Sequence, residues 1–485
     1  MYHRNSWKNV PKYDQCSETG GISVKILEVI HGYPPLYNAG SEVYTQTIAR
    51  GFVKAGHEVA VFTREEDPYR PDFDIRCDHD LQDPSIRVYY ANHARSRDRY
   101  RHVGMDDAFI SVLSNENPDI VHIGHLNHIS TGIPEIAARS GALVVYTIHD
   151  FWLACPRGQF IQMGLGEPEI WKLCPGQNDL RCAVHCMSRM WGGVPDKKED
   201  DIAYWTKWVE NRMLEIQHQI KHIDLFIAPS KHIRERIITE LGIDPHKVVL
   251  EPYGFDISRL TGRQRVQEKG VVFGYIGRIN ASKGIDLLLK AFGKTKSDAQ
   301  LRIYGRDSFP DSSALRRIER GLEPDRRSRI KWLPEYRNED IITSVFNHID
   351  AVVVPSIWDE NSPLVIQEAQ QVGIPVITAD HGGMAELVEN GVNGFLFKHR
   401  DANDLAKQLQ DAIDDPDHLI CLGKRGYLNS KDGNIPDIEG HVARMMNLFE
   451  KHLSQKVLRN RSDVICFGGE SDEYKSSIRS LENYI

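Results

Sequence analysis

Glu360 and Glu368 lie in the run Trp358-Asp359-Glu360-Asn361-Ser362-Pro363-Leu364-Val365-Ile366-Gln367-Glu368-Ala369, where acids, a helix start and free backbone amides coincide. Ser362 suits an N-cap and Pro363 the first helical position, where its missing N–H costs nothing. The next unpaired amides then belong to Leu364 and Val365, and with the helix dipole they form an anion site. Glu368, four residues after Leu364, shares its helical face, whereas Glu360 sits in the loop before it. Carboxylates accept hydrogen bonds from vicinal hydroxyls, so a sugar or ribose joined through a diphosphate could meet both. A capped surface helix with two solvated acids is the blander alternative. It weakens because the run follows the apolar stretch 351–354, and open α/β sheets bind ligands at the carboxyl ends of their strands.

Cations for a diphosphate come from a second run, Gly274-Tyr275-Ile276-Gly277-Arg278-Ile279-Asn280-Ala281-Ser282-Lys283-Gly284, at the end of the apolar stretch 271–276. Gly277 permits close backbone approach, and Arg278 and Lys283 supply two positive charges. In the first half, Asn38-Ala39-Gly40-Ser41-Glu42 follows the stretch 24–30, and Gly40 at a helix start lets backbone reach a phosphate. His149 closes the stretch 143–148, a place from which a side chain points into a cleft. Ser230, in Ala228-Pro229-Ser230, is adequately explained as a helix cap.

Two open sheets are needed to position these residues, and the pattern supplies them. Short apolar runs alternate with amphipathic segments, the signature of βα units and a parallel sheet covered by helices. Strands are expected at 24–30, 58–63, 120–123, 143–148 and 225–228, with a helix at 41–55 ended by Gly56. An insertion, 151–220, interrupts the series; its residues Ile202, Trp205, Trp208, Val209, Met213, Ile216 and Ile220 recur at helical spacing and form a packing face. The polar stretch 258–270 reads as a linker. Strands at 271–276, 301–304, 330–332, 351–354 and 375–378, with helices at 285–292 and 364–372, make a second unit.

A chain of 485 residues exceeds the roughly 250–300 at which one core stops growing. The expected organisation is α/β: an arm over 1–22, a Rossmann-like unit over 23–257, the linker, a second Rossmann-like unit over 271–455 and a tail over 456–485. The formal charge of -8 comes from mixed acids and bases, which excludes a general nucleic-acid surface. No apolar run approaches the roughly 18 residues that span a bilayer, and 1–22 lacks a signal peptide's apolar core. A cytoplasmic chain is expected, with any membrane contact peripheral.

The motif set Pro355-Ser356, Glu360-Asn361-Ser362-Pro363-Leu364, Glu368-Ala369 and Gly373-Ile374-Pro375-Val376-Ile377 strongly resembles family 4 of the retaining glycosyltransferases. The similarity extends over about 24–409. It implies the GT-B fold, two Rossmann-like doubly wound domains facing across a cleft. It also implies transfer of a hexose-type sugar from a nucleotide-diphosphate donor to a glycan, lipid-linked or small-molecule acceptor. By that resemblance Glu360 contacts donor-sugar hydroxyls, Glu368 the ribose, Arg278 and Lys283 the diphosphate, and His149 the donor sugar without acting as general base. Gly40, Gly277, Leu364 and Val365 would bind the donor. The family often has two adjacent glycines where this chain has Ala39-Gly40.

Two Asp-x-Asp triplets, Asp72-Phe73-Asp74 and Asp78-His79-Asp80, fall in what reads as an irregular first-domain loop. Metal-independent transfer is therefore expected, with no cofactor required and with Arg278, Lys283 and the helix amides in place of a metal. Cys155, Cys174, Cys182 and Cys186 could ligate a structural zinc, but they lack the close C-x2-C pairs of such sites, so ordinary reduced thiols are favoured. The basic stretch 93–102 reads as a solvated loop, with attraction of an anionic acceptor or lipid headgroup the sharper alternative. Rival readings are a sugar-nucleotide epimerase and a silent nucleotide-sugar binding protein. A dinucleotide dehydrogenase is disfavoured because no G-x-G-x-x-G follows the first strand.

Overall fold

The computed structural model describes residues 23–94, 100–164, 171–191, 198–296, 298–306 and 311–467. The arm 1–22, the middle of the basic stretch and the last part of the tail lie outside these residues.

Apolar runs become buried strands, as burial on both faces of a parallel sheet requires. The first sheet contains β1 (Lys25–Val29), β2 (Glu58–Glu65), β3 (Ile75–His79), β4 (Arg87–Asn92), β5 (Ile120–Ile123) and β6 (Leu143–Thr147). A short ribbon of β7 (Ile161–Gln162) and β8 (Lys172–Leu173) follows within the insertion, and β9 (Leu225–Ala228) and β10 (Val248–Leu250) complete the sheet. Its order is β10-β9-β6-β5-β1-β2-β4-β3, parallel except for β3. The second sheet orders β13 (Ile330–Leu333), β12 (Gln300–Tyr304), β11 (Val272–Ile276), β14 (Ala351–Val354), β15 (Val376–Ala379) and β16 (Gly394–Phe397), all parallel.

Each sheet reverses direction of growth beside its first strand. β1 lies between β2 and β5, and β11 between β12 and β14. Such switch points leave a crevice at the carboxyl ends of the strands. The loop after β1 leads to Gly40 and helix α1 (Gly40–Lys54). The loop after β11 carries Gly277 to Lys283, and the loop after β14 carries Glu360 and leads into helix α2 (Leu364–Gln371).

Four expectations change. Residues 78–79 belong to β3, an antiparallel edge strand, instead of a loop. The stretch 258–270 is strapped to the second domain: Arg263 bonds the carbonyls of Phe346 and Ile349 at 2.9 Å each, and Arg265 pairs with Asp350 at 2.5 Å. Ser362 does not cap α2; Pro363 is the N-cap and Ser362 Oγ accepts from Gln367 Nε2 at 3.1 Å. Helix α3 (Ile438–Phe467), which takes in the expected end of the second unit and the start of the tail, packs back on α1 and β6. Phe449 on α3 is fully buried, with its ring 5.9 Å from that of Phe52 on α1. No helix among the described residues is long and apolar enough to cross a membrane.

Candidate active site

The loop after β14 places Glu360 by its backbone first: its carbonyl accepts the Gly383 amide at 2.8 Å. Its side chain is 6% exposed, and Oε1 accepts three hydrogen bonds, from Ser356 Oγ at 2.6 Å, Trp358 Nε1 at 2.9 Å and Lys283 Nζ at 2.6 Å. Oε2 carries no hydrogen bond among the described residues and is left for a ligand. The ammonium of Lys283 also lies over the Trp358 ring, 5.2 Å from its centroid.

Lys283 is aimed by Gly284, which has φ +69° and whose added Cβ would meet the Pro355 carbonyl oxygen at 1.9 Å, so no other residue fits there. Gly277, at φ +149°, hydrogen-bonds the Tyr304 carbonyl at 3.1 Å, so the chain turns sharply off β11. Arg278 is exposed next to it, with no hydrogen bond or ion pair to its guanidinium among the described residues. The amides of Leu364 and Val365 make no hydrogen bond among those residues either, as expected for the first turn of a helix. Glu368 is not left open: it pairs with Arg259. Burial opposes the Arg259 charge, but Glu368 outweighs it and raises its pKa.

Across the gap, an extra Cβ on Gly40 would come 3.5 Å from Leu364 Cδ1, so the two helix starts face each other. His149 Nδ1 is 2.7 Å from the Tyr253 hydroxyl, and the two rings stack 5.5 Å apart. Asn361 Nδ2 donates to the Tyr253 oxygen at 3.4 Å, and burial keeps that phenol protonated. With Asn361 donating to its oxygen, the Tyr253 hydroxyl donates a hydrogen bond to Nδ1 in the tautomer that carries its hydrogen on Nε2. Nε2 is buried without a partner among the described residues. Burial, then His125 and His122, hold this imidazole well below its ordinary pKa, so it is neutral.

Asn361 ties the walls together. Its Nδ2 donates to the carbonyls of Ile148 at 3.0 Å and His149 at 3.1 Å, and its Oδ1 accepts from Ser230 Oγ at 2.7 Å. Sequence reasoning took Ser230 as a cap, which it also is through the Ile233 amide, and missed Asn361, Tyr253, Ser356, Trp358 and Arg259 as parts of the site. Only adjacency to Glu360 could have flagged Asn361. Of the sequence candidates, the fold gathers His149, Gly40, Gly277, Lys283, Glu360, Leu364 and Val365 at the two facing switch points, with Arg278 at the rim and Glu368 on α2 behind.

The Asp-x-Asp triplets lie elsewhere. Asp80 is buried in a bidentate ion pair with Arg50 at the sheet edge, also bonded by Gln46 and Tyr33, and Asp74 pairs with Arg70. The described ends of the basic stretch are not a solvated loop. His93 and His102 are buried in ring contact at 4.4 Å, and Arg101 is neutralised by Asp106 and Glu215 at 3.2 Å each.

Residues 38–259 match the model of Glycosyltransferase Family 4, and 257–428 that of Glycosyl transferases group 1. The two meet where the chain passes between the sheets. The chain matches both glycosyltransferase models in succession, resembles glycosyltransferase family 4 and has the GT-B fold. Among its relatives is a D-inositol 3-phosphate glycosyltransferase of Geodermatophilus obscurus, 29% identical over 234 residues, which are 44% of this chain and 51% of that protein. One of Rhodococcus jostii is 28% identical over 228 residues, covering 44% and 49%. The chain thus spans about half the length of the curated relatives it matches. The GT-B chain superposes on sucrose-phosphate synthase from Thermosynechococcus elongatus with a TM-score of 0.61 and 18% identity, covering 89% of this chain and 100% of that one. It superposes on Anabaena HepE in complex with UDP with a TM-score of 0.59 and 18% identity, covering 87% and 99%.

Proposed function

We propose that this protein is a retaining, metal-independent glycosyltransferase that moves a hexose from a nucleotide-diphosphate sugar to a hydroxyl of a small-molecule, glycan or lipid-linked acceptor. The observation that carries the reading is the Lys283–Glu360 pair beside the free Leu364 and Val365 amides, facing the unpartnered Nε2 of His149. A uridine nucleotide is favoured because HepE, of like fold, binds UDP and UDP-glucose.

On this reading the diphosphate lies between α1 and α2, with Arg278 and Lys283 on its oxygens. Glu360 Oε2 accepts from sugar hydroxyls, and His149 Nε2–H donates to one. The C1–O bond to phosphate breaks, the leaving oxygen takes the electron pair, and Arg278, Lys283 and the amides stabilise that charge. Donors aimed at developing charge are worth about 3–4 kcal/mol each in other enzymes. The acceptor oxygen attacks C1 from the face the phosphate leaves, and its proton passes to a phosphate oxygen. Configuration is retained without a carboxylate nucleophile.

The test is donor turnover followed by NMR of the anomeric proton, with and without chelator. Retention, with a rate that magnesium or manganese does not restore after chelation, is expected. Inversion, or loss of rate to chelator recovered with magnesium or manganese, contradicts the proposal.

A further inference from the structure

The insertion after β6 brings Cys155, Cys174, Cys182 and Cys186 to one place. All four are free thiols and line a single cavity of about 10 Å3. Cys182 precedes, and Cys186 lies within, a π-turn, Ala183–Met187, an irregularity concentrated at functional sites. Cys155 comes from the turn after His149 and Cys174 from the end of the β7–β8 ribbon, so residues far apart in sequence converge.

The surroundings are cationic without an acid to answer them. Arg157 and Arg181 line the same cavity, and Arg212, only 1% exposed, lies by Cys155 and Cys182. These guanidiniums bond backbone carbonyls of Ile161, Gly176, Leu153 and Trp152, and none pairs with a carboxylate among the described residues. A buried cation without a counter-charge is costly. Four thiolates around one divalent ion carry two negative charges and would provide it.

We propose that Cys155, Cys174, Cys182 and Cys186 form a tetrathiolate site for one structural zinc ion. A sulfur-only tetrahedral set takes zinc or an iron–sulfur cluster. The cavity holds a single atom-sized guest, which favours zinc. No three of the sulfurs lie within 4.8 Å of one another, wider than bonds of about 2.3 Å to one ion allow. The thiols of Cys174 and Cys186 are turned to the carbonyls of Gly176 at 3.2 Å and Ile161 at 3.8 Å, so metal binding would require these two to swing away from their carbonyl partners. On binding, four S–H bonds give their protons to water and four Zn–S bonds form. The ion would brace a segment that reaches the second domain, where Gln159 Nε2 bonds Ser282 Oγ at 3.4 Å and Arg400 bonds the Trp171 carbonyl.

The test is elemental analysis of the full chain, as purified and after equilibration with a zinc salt and gel filtration, combined with mass-spectrometric mapping of alkylated cysteines. About one zinc per chain is expected. The exposed Cys77 and Cys421 should label throughout, whereas the four should label only after chelator is added. Cys182→Ser with Cys186→Ser should lose the zinc. If that variant fails to fold, the labelling of the wild-type chain decides. Less than half a zinc after equilibration with all four thiols reactive would overturn the site, and so would iron and sulfide with visible absorption.

Discussion

The two walls of the cleft hold polar groups in opposite ways. The second-domain wall is ionic: Lys283 with Glu360, Arg259 with Glu368, and Arg278 open at the rim. On the first-domain wall the histidine and tyrosine rings are kept neutral. Burial, then His125, lowers His31, burial lowers His149, and burial raises the phenols of Tyr44 and Tyr253. A charged wall can bind phosphates and follow the charge that develops on the leaving group. A neutral wall of fixed donors and acceptors can recognise hydroxyls without competing for the phosphate. On the proposed function, the division of labour between the two domains is thus a division of protonation states.

The sharpest way to break this contrast is to remove one charge and one neutral donor and compare the losses. Lys283→Ala is expected to lower kcat by about 10²–10³-fold, because it removes stabilisation of developing charge. His149→Ala, which loses one neutral hydrogen bond, is expected to cost about 3–10-fold. Equal losses in steady-state kinetics would mean that the walls do not divide the work. Between these lies Asn361→Ala, which strips partners from Ser230 Oγ and from the carbonyls of Ile148 and His149. A stability loss of about 1–3 kcal/mol in urea unfolding is expected, and an unchanged midpoint would show that the clip does not join the domains.

The smallest effect concerns His399, a ring of the second domain that burial keeps neutral. Burial, then His381 and Arg400, lower the pKa of His399 to about 4, against an ordinary value of about 6.5. The unfolded chain then binds a proton that the folded chain refuses between these values, so stability falls as pH drops through that window. His31 and His149 act with the same sign. Urea midpoints should decline from pH 7 to pH 4.5, less steeply in His399→Gln; a flat profile would contradict the neutral state of these rings.

Strands were legible because buried parallel strands leave unbroken apolar runs: 120–123, 225–228 and 351–354 coincide with β5, β9 and β14. The edge strand β3 was not, because Arg76, Asp78 and His79 face solvent or ion pairs and leave no apolar run. Arg259 lies over a hundred residues from Glu368, and a stretch of mixed Arg, Gln and Lys looks alike whether it is loose or strapped down. Asn361 is one polar residue within a motif already explained by its neighbours. The packing of α3 on α1 and β6 was not legible because its apolar face, Val442, Met445, Met446 and Phe449, carries no mark of which domain it covers.

UDP titration by calorimetry, on the wild-type chain, Arg278→Ala and His149→Ala, tests the central claim most directly. Wild type and His149→Ala should bind UDP alike, while Arg278→Ala should bind at least about 10-fold more weakly, the loss of one charge-assisted contact. Undiminished UDP binding by Arg278→Ala, or its loss in His149→Ala alone, would contradict a charged wall that holds the diphosphate and a neutral wall that does not.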